Sequence, residues 1–99
     1  QGMGDTFRMA DEKKAYTLID RGTYLALKDN YQLEPMVEGS PDLLNPYGVI
    51  PVNPEKHPHV DFEGATAFAE WLTSEKGQKM IGEFGVDKFG QQLFVPDAK

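Results

Sequence analysis

The chain has 99 residues, 39% of them hydrophobic and 26% charged, which is enough for one small folded domain and unlike a disordered segment. A formal charge of −6 argues against nucleic acid and anionic membrane surfaces as main partners, because both depend on phosphate neutralisation by Lys and Arg. The absence of cysteine excludes disulfides and thiolate metal sites, and no apolar run approaches the roughly 20 residues of a membrane helix.

Met3, Phe7 and Ala10 share one helical face and predict a helix over 3–14, closed by the charged run Asp11, Glu12, Lys13 and Lys14. Residues 16–19 read as a short apolar strand that runs into the polar corner Asp20-Arg21-Gly22-Thr23. A helix over 21–28 follows, with Tyr24, Leu25 and Leu27 available to face a sheet, and Asp29-Asn30 ends it. Residues 33–37 form a short strand that Pro35 confines to a sheet edge, and 39–42 are a turn cluster. Residues 47–52 are apolar and extended, with Pro46 and Pro51 restricting their neighbours, which suits a crossover between two lobes.

A loop over 53–58 leads to Asp61, which reads as the N-cap of a helix over 62–73. Phe62, Ala65, Ala69 and Leu72, widened by Phe68 and Trp71, form a stripe with the spacing of a packed face. Ser74 caps a second helix over 75–84 with Met80, Ile81 and Phe84 inward and Gly85 as its stop, and the tail 91–95 is extended. The fold class is α/β, in the order helix, strand, helix, strand, strand, helix, helix, strand, without internal repeats.

The corner at 20–23 is the main candidate for chemistry. A helix start offers unpaired N–H groups and partial positive charge, a setting for a small anion. Thr17 and Thr23 add hydroxyls, and the Arg21 guanidinium can hold a tetrahedral oxyanion at two points. Asp20 fits better as the cap of the helix, since its charge repels an anion. Thr17, Asp20, Arg21, Thr23 and Tyr24 are the candidate ligand-binding set. The plain alternative is a capped helix start with a solvated arginine. An acidic total leaves room for such a site, because surface carboxylates are screened over about 8 Å while fixed donors act at contact.

Other motifs carry less. His57 and His59, with Glu55, Asp61 and Glu63 nearby, supply fewer placed ligands than a zinc site needs and read as a polar loop before the 62–73 helix. Ser40 and Ser74 are explained by a turn and a cap, so no nucleophile stands out. Gly82, Gly85 and Gly90 lack the Gly-Lys-Ser/Thr ending of a phosphate loop.

Three strings are more specific: AYTLIDRGTYLA at 15–26, LLNPYGVIPVNP at 43–54 and FGQQLFVP at 89–96. In this order and spacing they resemble the C-terminal part of the tungstate-binding periplasmic proteins that feed ABC transporters. The resemblance implies a fragment of a two-lobed, type II periplasmic-binding-protein-like fold, a three-layer sandwich with incomplete sheets. Residues 1–44 would end lobe two, 45–58 would be the returning crossover, hinge and loop, and 59–99 would complete lobe one with C-terminal helices and tail. It implies capture of tungstate, or a related oxyanion such as molybdate, without catalysis and without a cofactor. The implied partner is the membrane permease, and the implied location is periplasmic or extracytoplasmic, lipid-anchored in Gram-positive bacteria. Proteins of that kind also draw donors from a Thr/Ser-rich motif near their N-terminus and from an arginine in mid-chain. Neither segment lies in these residues, so the expectation is half a site at most. Strand edges left without partners predict self-association. The alternative function is a small acidic stand-alone protein-interaction module, to be told apart by a monomeric mass and cooperative unfolding.

Overall fold

The computed structural model describes residues 1–98; Lys99, the last residue of the expected 59–99 segment, lies outside them. The chain divides into two units, Gln1–Leu44 and Asn45–Lys99.

In the first unit, α1 (Met3–Lys13) packs against α2 (Arg21–Leu27), and single 3₁₀ turns follow at Lys28–Asn30 and Pro41–Leu43. α1 ends one residue before the expected bound because Lys14 adopts the left-handed conformation, φ 55° and ψ 46°. There the Ala15 N–H donates to the Ala10 carbonyl at 2.8 Å and the Lys14 N–H to the Asp11 carbonyl at 3.2 Å, the paired bonds of a Schellman stop. Phe7, Ala10 and Leu25 are the buried apolar residues. Tyr24 and Tyr31 meet the Phe7 ring edge-on, with centroids 5.9 and 5.4 Å away. The face of α2 that was expected to cover a sheet therefore covers a helix: Tyr24 lies on Phe7, and Leu27 lies beside Gly4.

In the second unit, α3 (Phe62–Thr73) and α4 (Glu75–Glu83) are joined by Ser74 alone, and α5 (Val86–Phe89) is a single turn between Gly85 and Gly90. The Asp61 carboxylate accepts the Gly64 N–H at 2.9 Å and opens α3. Ser74 both closes α3 and opens α4. Its hydroxyl donates to the Trp71 carbonyl at 2.6 Å and accepts the Gly77 N–H at 3.2 Å. The apolar stripe of α3 does not become a core, with Phe62, Phe68 and Trp71 at 42, 59 and 40% exposure. Met80 on α4 and Phe84 just beyond it are likewise exposed, while Ile81 is half-buried.

No strand forms among the described residues, which corrects the expected strands at 16–19, 33–37 and 47–52 and the extended tail's place in a sheet. The α/β sandwich layers are absent for a physical reason. A helix closes its hydrogen bonds within one segment, whereas a strand exists only when a second strand supplies the opposite groups. Tyr16, Met36 and Ile50, at 92, 76 and 84% exposure, show segments that have found no such neighbour. No helix among the described residues is long and apolar enough to cross a membrane.

Candidate functional site

The corner before α2 is built as a cap. Asp20 is extended (φ −75°, ψ 152°), and its Oδ2 accepts the Thr23 N–H at 2.9 Å and the Thr23 hydroxyl at 3.0 Å. The Tyr24 N–H donates to the Asp20 carbonyl at 3.1 Å. Among the described residues, the helix start still offers the N–H groups of Arg21 and Gly22. Asp20 and Thr23 are thus brought together and satisfy each other.

The other members of the candidate set are spread around that pair. The Arg21 side chain reaches Glu38, whose Oε1 lies 3.5 Å from Nη2, both groups being partly open to water. The Tyr24 ring is committed to Phe7. Thr17 is exposed, and its hydroxyl turns to the neighbouring Leu18 carbonyl at 3.4 Å. One carboxylate, Glu38, is paired with the Arg21 guanidinium, and a second, Asp20, is held by Thr23 at the start of the same helix. An oxyanion can enter only if Asp20 stays turned toward Thr23 and Glu38 gives up Arg21, or if donors from elsewhere join. Glu38 is the residue that sequence reasoning missed; it lies 17 positions beyond Arg21, and no local pattern marks it.

The second unit holds a different feature. An open apolar hollow of about 410 Å³ is lined by Tyr47, Trp71, Met80, Ile81, Phe84 and Phe94 beside Gly77. The His57 and His59 rings meet edge-on with centroids 6.1 Å apart. Among the described residues, no three His, Asp or Glu side chains are grouped so as to hold a metal ion.

Comparison with known proteins places these features in a family. The PBP superfamily domain matches residues 1–76. The chain is 54% identical over 98 residues to the tungstate-binding protein TupA of Peptoclostridium acidaminophilum, covering 99% of this chain and 34% of that protein. It is 52% identical over 103 aligned positions to a protein of Haloferax volcanii provisionally named ABC transporter anion-binding protein, covering 99% and 30%. It is 38% identical over 103 aligned positions to the tungstate-binding protein TupA of Campylobacter jejuni, covering 100% and 38%. The chain thus spans about a third of the length of the curated relatives it matches. No solved structure matches it significantly. With the family's domain running through the α1–α2 unit and on through α3, the chain belongs to the PBP superfamily, whose fold is periplasmic-binding-protein-like.

Proposed function

We propose that this chain is the C-terminal part of an extracytoplasmic solute-binding protein that captures tungstate, or a related oxyanion such as molybdate, for the membrane permease of an ABC transporter. The observation that carries this reading is 54% identity over 98 residues to a protein named for tungstate binding. In the complete protein, residues 1–44 end lobe two, 45–58 form the returning crossover and hinge, and 59–99 complete lobe one. The protein acts by binding alone, with the lobes closing over the anion. Arg21 supplies the main fork, with Thr17 and Tyr24 adding hydroxyls and Thr23 adding its own once it turns from Asp20, which keeps the start of α2 in shape through the Thr23 N–H. Remaining donors come from the rest of the protein, which is lipid-anchored if its host is Gram-positive. Taken alone, the chain self-associates through apolar segments such as Leu44, Tyr47 and Ile50, which are 78, 74 and 84% exposed.

The test is a chimera in which these residues replace the matching stretch of the Peptoclostridium TupA. Calorimetric titration with sodium tungstate gives saturable heat. Arg21→Ala weakens that binding by about tenfold or more, as loss of a charge-assisted hydrogen bond does. A chimera silent to tungstate and molybdate, beside a parent protein that binds, overturns the reading.

A further inference from the structure

We propose that Glu38 is the resident counter-ion of Arg21, holding the guanidinium when no oxyanion is bound and releasing it when one arrives. This rests on the oxyanion reading above and adds to it the residue that sets affinity and release. The contact is delivered by a segment anchored at its base. After α2 the chain returns to α1, where Tyr31 packs edge-on against Phe7 and the Asp11 Oδ1 accepts the Gln32 N–H at 2.9 Å. From that anchor the chain runs to Glu38, whose Oε1 comes within 3.5 Å of the Arg21 Nη2, and Gly39 (φ 74°) then turns it away.

Competition follows from geometry and charge. Glu38 meets the guanidinium at Nη2 alone, and a tetrahedral oxyanion held by the two parallel N–H groups of the fork also takes one from Nη2. A dianion also feels twice the repulsion from a nearby carboxylate that a monoanion does. Both effects make Glu38 a rival of the ligand. Its opposing effect, orienting Arg21 in advance, is small, because the two side chains are 46 and 61% exposed and such pairs are weak. That weakness is what lets the pair exchange. Asp20 has no such freedom, since its carboxylate is engaged by both the N–H and the hydroxyl of Thr23.

In the chimera described above, Glu38→Gln raises tungstate affinity about fivefold, and the gain disappears in an Arg21→Ala background. Unchanged or weakened affinity, or a gain that persists without Arg21, overturns the proposal while leaving the oxyanion reading intact. A chimera that binds no tungstate in any form overturns both. In the chain itself, the Arg21 Nη resonances shift on Glu38→Gln, and unmoved resonances overturn the pairing whatever the chimera does.

Discussion

Phe7 in the first unit is 2% exposed and receives two aromatic edges, while in the second unit the buried residue among those described is a glycine, Gly77, and Phe84 stands 64% exposed. The helices themselves are alike: α1 has 11 residues, α3 has 12, and both carry an apolar stripe. The connections differ. Residues 14–20 separate α1 from α2, enough chain to lay one helix face on the other. A single residue, Ser74, separates α3 from α4, so α4 departs from the very end of α3, and Trp71, Met80 and Ile81 of the two helices line an open hollow in place of a closed core. Helix-end hydrogen bonds occur in both units, and the buried apolar side chains among the described residues lie in the first. An apolar stripe becomes a core only when the connection lets it reach a partner.

The largest expected effect tests burial in the first unit. Phe7→Ala removes the ring on which Tyr24 and Tyr31 converge and costs about 3–5 kcal/mol. A 44-residue unit has little to spare, so α1 and α2 lose their amide protection in hydrogen exchange. Retained protection would break the comparison at its stronger end. Gly77→Ala is next, at about 3 kcal/mol, because a Cβ there runs into the Trp71 carbonyl and comes within 2.9 Å of the Leu72 carbonyl, both backbone. The sole tryptophan, Trp71, reports that change by fluorescence during denaturant unfolding.

Ser74→Ala and Asp20→Ala set one cap in each unit against the other. Each costs about 1 kcal/mol in its own helix, read as loss of helical circular dichroism. The smallest effect has the opposite sign. Lys14→Gly relieves a left-handed backbone at the end of α1 and raises the stability of the first unit by about 0.5–1 kcal/mol in a urea titration. No gain would mean that the Lys14 side chain, not its backbone, matters at that stop.

What was legible in the sequence follows the range over which each feature is decided. α3 has the expected bounds because Asp61 acts on Gly64, three residues away. α4 begins where Ser74 predicts and ends one residue before the expected bound, with Gly85 at φ 78° just beyond. α5 escaped notice because four residues between two glycines show no period. The strands failed because a strand needs a second one beside it and none pairs among the described residues, yet the strings at 15–26 and 43–54 still marked the family that the domain match shows. At the corner, the Asp20–Thr23 cap was readable as an i, i+3 pair. Glu38 was not, since a turn and an anchor at Gln32 decide where it goes.

Gln78 bonds with both ends of its amide: Nε2 donates to the Leu72 carbonyl at 2.8 Å, and Oε1 accepts the Ala98 N–H at 3.0 Å. The two contacts fix the orientation of a group that is otherwise nearly symmetric. They also make the corner sensitive to loss of that amide. Deamidation to glutamate keeps the shape and the acceptor facing Ala98, but it sets a carboxylate oxygen against a carbonyl oxygen at the end of α3, where negative charge is already unwelcome. A change of one atom, without any change in size, would thereby loosen the α3–α4 corner while leaving the tail attached.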